Sequence, residues 1–279
     1  MSSLTAGVSF ERDDIDTRPQ FANPLSIAED QAAAYLIGQT PLLDHVIATA
    51  SVRADHYESF GSHATYQFGV VADYAPLRLF VSYGTAFKAP SLSERFEVSF
   101  FNLGNPDLKP EDSRSWEIGG DWRANAALTI GGSYYQTRVD NLIEYDFGAR
   151  QNINLGHAAI NGAEAYAFVT PNAWSSVRLS YAWTDARDDD TGAQLLRRPE
   201  NVWRLRARIR PTEQLGLALD WSYVGARQDV TYDSAGAFLS SSARVSAFSV
   251  GAISATYDLD QRVQIFGRVD NITNATYEQ

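Results

Sequence analysis

Apolar and polar positions alternate along most of this chain. Leu77, Leu79, Val81, Tyr83, Thr85 and Phe87 fall on one face of a strand, while Arg78, Phe80, Ser82, Gly84, Ala86 and Lys88 fall on the other. Trp116, Ile118, Gly120 and Trp122 oppose Ser115, Glu117, Gly119 and Asp121. The same period of two predicts strands over Leu4–Phe10, Asp30–Thr40, Val46–Asp55, Thr65–Tyr74, Leu128–Tyr134, Ala158–Val169, Val177–Asp185, Trp203–Arg210, Leu215–Tyr223, Arg244–Tyr257 and Arg262–Asn271. Short turns are expected at Pro41–Asp44, Ala75–Pro76, Arg123–Ala126, Thr170–Ala173 and Pro211–Gln214. Long polar loops are expected at Glu11–Ala28, Ala89–Pro110, Asp140–His157, Asp185–Gly192 and Asp229–Ala243. In the second of these, Pro90, Pro106 and Pro110 argue against regular structure.

Short and long connections therefore alternate along about 13 strands, which is the asymmetry of an outer-membrane barrel. One strand settles which face is wet. Trp203, Leu205, Ala207 and Ile209 oppose Arg204, Arg206, Arg208 and Arg210, and an arginine at the lipid midplane costs roughly 2–4 kcal/mol. The arginine row is expected to face the lumen. Trp183, Trp203, Trp221 and Tyr223 fall toward the long-loop ends, where an interfacial aromatic belt is expected. A soluble sandwich would also alternate, but it guards its edges with lysine, and Lys88 and Lys109 are the only lysines among 23 basic residues. The fold class is all-β, an antiparallel transmembrane β-barrel.

Composition narrows the function. The chain has 279 residues with 44% hydrophobic content, a mean hydropathy of -0.27, and no apolar run long enough for a membrane helix. A net charge of -11 excludes a nucleic-acid partner, which needs a basic face. The absence of cysteine removes disulfides, zinc–thiolate sites and thiol catalysis, and suits export through an oxidising periplasm. MSSLTAGVSF has neither a basic nor an apolar leader region, so the N-terminal segment of an exported protein is expected to be missing.

The stretch from Phe80 to Trp122 carries further words: YGTAFKAPSL, then GNPDLKPE, then a strand with Trp116-Glu117-Ile118-Gly119. In this order they resemble the TonB-dependent outer-membrane receptors. The matching residues are Tyr83, Gly84, Phe87, Lys88, Pro90, Gly104, Asn105, Pro106, Leu108, Pro110 and Glu111. VDNLIEYD, INLGHAAINGAEAYA, LSYAWTDARD, LLRRPEN, LDWSYVGARQD and VDNITNATYE extend the likeness toward the cobalamin receptors of that family. The resemblance implies a 22-stranded barrel with a plugged lumen, of which residues 1–279 supply the C-terminal portion, lacking the plug domain, the TonB box, the first strands and the terminal strand. It implies outer-membrane lipid, the protein's own plug and TonB as partners, and active uptake of a large scarce nutrient. That nutrient is a corrinoid such as cobalamin, or alternatively a ferric siderophore. The location implied is the bacterial outer membrane.

Ligand meets such receptors at the outer loops, so the candidate contacts are polar or aromatic residues at the long-loop ends: Tyr145, Arg197, Arg198 and Tyr232. Acids outnumber bases in these loops, which suits a roughly neutral corrinoid better than an anionic iron chelate. No metal ligand set is read: His45, His56, His63 and His157 form no i, i+4 pair, and Asp188-Asp189-Asp190 lacks the glycine and glutamate of a calcium loop. No cofactor is expected. A passive pore and an outer-membrane lipase are the competing readings, but no serine–histidine signature supports the enzyme.

Overall fold

A computed structural model describes residues 1–17, 24–99, 102–233 and 238–277. The strands are β1 (Ser3–Thr17), β2 (Leu25–Leu43), β3 (Val46–Tyr57), β4 (Gly61–Tyr74) and β5 (Leu77–Lys88), then a short helix α1 (Leu92–Phe96). There follow β6 (Glu111–Asn125), β7 (Leu128–Asp140), β8 (Ile143–Asp146), β9 (Gln151–Asn154), β10 (His157–Asn172) and β11 (Ser175–Asp188). The chain continues with β12 (Asn201–Ile209), β13 (Leu215–Val224), β14 (Arg227–Tyr232), β15 (Phe238–Val245), β16 (Phe248–Asp258) and β17 (Gln264–Val269). One 13-stranded antiparallel sheet runs β1-β2-β3-β4-β5-β6-β7-β10-β11-β12-β13-β16-β17, while β8–β9 and β14–β15 form separate two-stranded sheets. β1 and β17 are its edges, so the barrel wall is open, as the sequence reading expected.

The alternation is realised in three dimensions. Phe68, Val81, Ile118, Ile130, Leu179 and Ile253 share one face and stand exposed, Ile118 to 54%. A water-soluble monomer rarely leaves an apolar patch beyond a few hundred Å² uncovered; a face that spans the whole sheet fits hydrocarbon. Aromatic residues mark both borders. Trp203 packs on Tyr181 with ring centroids 4.4 Å apart at the long-loop end, and Trp122, Trp174, Tyr74 and Tyr257 stand exposed near the short turns.

Several expected boundaries move. Glu11–Thr17 is strand rather than loop, because β1 pairs with β2 through Glu11↔Gln31 to Thr17↔Leu25, with Arg12 and Asp30 3.2 Å apart across the hairpin. Its polar sequence misled because a hairpin standing in water needs no apolar face. Residues 18–23 of that expected loop lie outside the described residues. The Asp140–His157 loop contains β8–β9, and the Asp229–Ala243 loop contains most of β14–β15, so the strand expected over Arg244–Tyr257 divides between Val245 and Phe248. β2 and β10 run through Pro41 and Pro171 on register shifts, shortening the expected turns. The Pro-rich loop holds α1, opened by a capping box in which Ser91 Oγ accepts the Glu94 N–H and the Glu94 carboxylate accepts the Ser91 N–H.

The motif residues account for that loop's shape. Phe87 stacks on His63 with centroids 3.6 Å apart, Tyr83 lies on the apolar face 6.2 Å from Tyr66, and Gly84 sits against Gln67. Lys88 Nζ meets Glu111 at 2.9 Å, and the same carboxylate accepts the Ile143 N–H. Pro90 and Leu108 are buried. Asn105 Nδ2 donates to Asn152 O, the Lys109 N–H to Asn154 Oδ1 and Gln151 Nε2 to Gly104 O, while Pro106 and Pro110 flank these bonds. Gly104 has φ +59, and a Cβ there would lie 2.8 Å from Arg95 O. The loop thus clamps the β8–β9 hairpin, which as an isolated two-stranded sheet would be marginal in water. Buried apolar packing is concentrated beside it, where Val139, Ala158, Ala186 and Leu195 meet Leu142 and Leu155.

Two outcomes follow from this framework. With single cysteines in this cysteine-free chain, fluorophores at Leu205→Cys and Leu219→Cys should be quenched from the lipid phase and those at Arg206→Cys and Asp220→Cys from water; inverted parity would overturn the face assignment. Gly104→Ala should destabilise the clamped loop by about 1–2 kcal/mol, the cost of a left-handed non-glycine residue, seen as faster amide exchange in β8–β9.

Candidate functional site

Three segments meet at the long-loop end. The β8–β9 turn is set by Asp146, whose Oδ1 accepts the N–H groups of Gly148 and Ala149 at 2.8 and 2.9 Å, leaving Phe147 at the tip. Phe147 packs edge-on to Tyr145 (centroids 4.9 Å apart) and near-parallel to Phe238 of β15 (6.2 Å, 15°), with Tyr232 of β14 edge-on at 6.4 Å. The third segment follows β11. Its first turn is tied by Asp188 Oδ1 to the N–H groups of Asp190 and Thr191, Leu195 is buried with its N–H on Ala186 O, and the segment then reaches Arg197.

Arg197 holds a left-handed backbone (φ +59), unusual for a residue with a Cβ. Its N–H donates to Gln228 O at 2.8 Å, its Nε to Asp229 Oδ1 at 2.9 Å, and its guanidinium lies 5.3 Å from the Phe147 ring centre. Arg198 reaches Glu144 at 3.8 Å. Burial pushes the Glu144 carboxyl above its usual range, against the opposing pull of Arg198. Asp229 behaves oppositely: burial would raise it, but the Val230 N–H and Arg197 together hold it below the usual range. Between the segments lies a cavity of about 370 Å³ lined by Glu144, Tyr145, Phe147, Asp188, Leu195 and Phe238 among others.

Of the four candidate contacts, Tyr145 lines this cavity, Arg197 and Tyr232 pack against its aromatic rim, and Arg198 is tied to its wall through Glu144. Sequence reasoning missed Phe147, Phe238, Glu144 and Asp229. Phe147 carried one usable signal, an aromatic residue between aspartate and glycine at a polar turn, where burial in a strand face cannot explain it. Arg204, Arg206 and Arg208 stand apart, on the polar face of β12, and Arg210 lies one residue past its end rather than in the strand; Arg206 Nε meets Asp220 at 2.7 Å and Arg210 approaches Asp258 at 4.0 Å. Arg204 and Arg206 border a polar groove of about 820 Å³ with Arg178 and Arg268. Among the described residues no group of three or more acidic or histidine side chains is placed to hold a metal ion.

Residues 2–272 match the family model described as TonB dependent receptor-like, beta-barrel. The chain is 30% identical over 234 residues to the vitamin B12 transporter BtuB of Vibrio cholerae serotype O1, a match that covers 82% of this chain and 36% of that protein. It therefore spans about a third of the length of the curated relatives it matches. Among solved structures, the ferric enterobactin receptor PfeA of Pseudomonas aeruginosa superposes with a TM-score of 0.81 at 18% identity, covering 98% of this chain and 46% of that one. The copper transporter OprC superposes with a TM-score of 0.81 at 16% identity, covering 100% and 48%. At such identities these structures share the fold alone. The family model extends over nearly the whole chain, the relative is recognisable in sequence, and the open antiparallel sheet is part of such a wall: the chain belongs to the TonB-dependent receptors and forms part of their β-barrel.

Proposed function

We propose that the intact protein is an outer-membrane receptor that takes up a corrinoid, with the cavity and aromatic rim at the long-loop end contributing to ligand capture. The observation that carries this reading is the state of the two arginines there. Arg197 is neutralised by Asp229 and Arg198 by Glu144, and Asp146 and Asp188 add further acid to the cavity lining. With both of these arginines paired, the mouth offers an anionic chelate little free positive charge from them. It suits a bulky, near-neutral ligand that presents flat unsaturated surface to aromatic rings and amides to hydrogen-bonding groups. A cavity of about 370 Å³ accommodates one arm of such a ligand, with the remainder over Phe147, Tyr232 and Phe238. The likeness to a vitamin B12 transporter supports the same choice. Capture is the part assigned to these residues. Release inward would require the family's plug and TonB, with the polar face of β12 lining the lumen.

A second reading, ferric siderophore uptake, is favoured by the exposed arginines Arg204 and Arg208 near Arg178, Arg206 and Arg268 on the polar face, which form a basic strip deeper along the wall. Equilibrium binding separates the two. Cyanocobalamin should bind the intact purified protein, and Arg197→Ala, which strands the Asp229 carboxylate and removes the cation from Phe147, should weaken binding by about 1–3 kcal/mol. Tight binding of ferric enterobactin with none of cyanocobalamin would transfer the assignment to the second reading.

The acids predict opposite pH responses. Glu144 has a raised value in the folded state, so the folded loop binds the extra proton; its contribution is full below the ordinary glutamate range and is lost as pH rises through the raised value. Glu144→Gln should therefore make β8–β9 amides exchange more slowly than in the parent at neutral pH, with the difference vanishing in acid. Asp229 is lowered, so its contribution is present above the ordinary aspartate range and is lost as pH falls through the lowered value. A parent and variant with identical exchange at every pH would remove Glu144 from the account.

A further inference from the structure

The apolar face of the sheet ends in a polar shelf over β6, β7, β10 and β11. Register places Arg114 directly opposite Arg138, and both Arg138 and Arg187 opposite Ala159, so the three arginines share one row on the same face as Trp116 and Ile118. All three are exposed. One row nearer the membrane band, Trp116 Nε1 donates to Gln136 Oε1 at 3.4 Å and Gln136 Nε2 to Asn161 Oδ1 at 2.8 Å. The next row is apolar and aromatic: Ile118, Tyr134, Ala163 and Trp183. Hydrocarbon contact, aromatic belt, amide ladder and guanidinium row thus follow one another within a few residues of each strand.

Two like charges directly opposite each other on a sheet are destabilising unless an anion lies between them. Asp189 meets Arg138 at 2.6 Å, and Asp185 meets Arg187 at 2.7 Å. Arg114 has no ion pair or side-chain hydrogen bond among the described residues. The row therefore has room for an anion at Arg114 and Arg138, while Gln136, Asn161 and the two aspartates offer partners for hydroxyl groups. A phospholipid headgroup would use the guanidiniums alone. A phosphorylated sugar carrying acyl chains would use every layer: chains on the apolar face, the sugar ring beside Trp116 and the amides, and phosphate at the arginines.

We propose that this outward shelf binds the phosphorylated sugar headgroup of an acylated glycolipid in the surrounding leaflet. The inference rests on the reading above that the apolar face meets outer-membrane lipid, and it is independent of ligand choice at the mouth.

The test uses the intact protein, purified in detergent and stripped of lipid, titrated with diphosphorylated lipid A and followed by native mass spectrometry and thermal shift. Saturable binding is expected, weakened about tenfold or more in Arg114→Ala/Arg138→Ala, since each guanidinium–phosphate contact is a charge-assisted hydrogen bond. Ligand binding at the mouth should be unchanged. Arg114→Gln/Arg138→Gln, which retains bulk and polarity, should show the same loss and guards against a folding defect in the alanine pair. Undiminished binding in both variants would overturn the site, and equal affinity for phosphatidylglycerol or for dephosphorylated lipid A would overturn the phosphorylated sugar as its occupant. A protein that fractionates away from the outer membrane would sink this inference and the uptake reading together, whereas failure of lipid A alone leaves the uptake reading standing.

Discussion

In hydrocarbon a backbone N–H or C=O without a partner costs several kcal/mol, because no water can take the missing bond. That constraint shapes nearly everything in this chain. It demands an uninterrupted antiparallel ladder, which the inner strands of the 13-stranded sheet provide with neighbours on both sides, and it makes β1 and β17 incomplete as edges. Where the chain leaves the membrane band the constraint lapses. The β1–β2 hairpin continues with charged residues on both faces, β8–β9 and β14–β15 detach as small sheets, and a helix becomes possible.

Once the ladder no longer holds the chain, something else must. The residues that identify the family do this work. Asn105, Gly104 and Lys109 exchange hydrogen bonds with Asn152, Gln151 and Asn154, and Glu111 joins Lys88 to the start of β8. Beneath them Arg95 and Glu29, both nearly buried, pair at 3.4 Å and tie α1 to β2, with Phe60 under the guanidinium. A buried pair of this kind contributes little net stability but penalises any arrangement that separates it. The motif is thus a brace: it fixes the hairpin on whose tip Phe147 is displayed.

This explains what could be read from the sequence. Strand alternation is dictated by two immiscible solvents on opposite faces, so the faces of β5, β6, β11, β12 and β13 were legible residue by residue. The outer hairpins were not, because water on both sides erases the period, and Glu11–Thr17 or Gln151–Asn154 look like loops although they are paired. Tyr145, Arg197, Arg198 and Tyr232 could be named from their loop positions. Their convergence could not, since it depends on a brace between Asn105 and Asn152 and on a left-handed Arg197, neither of which has a local signature. Phe147 and Phe238 become informative only when the two turns are known to touch.

The arginines show why counting charges was only a partial guide. At the mouth the Arg197 side chain is largely exposed, but its Nε is held by Asp229, whose carboxylate is shielded and needs a cation beside it. On β12 the same residue type stands exposed at Arg204 and Arg208, without an ion pair among the described residues, and solvent supplies the stabilisation that a carboxylate supplies above. A count of acids and bases treats these as equal. Pairing does not: Arg197 and Arg198 each have a carboxylate beside them, while Arg204 and Arg208 on the wall have none among the described residues. A ligand held at the mouth by ring and amide contacts would therefore meet free positive charge only after leaving it, so affinity at the mouth and the electrostatics of the path beyond it can be set by different residues.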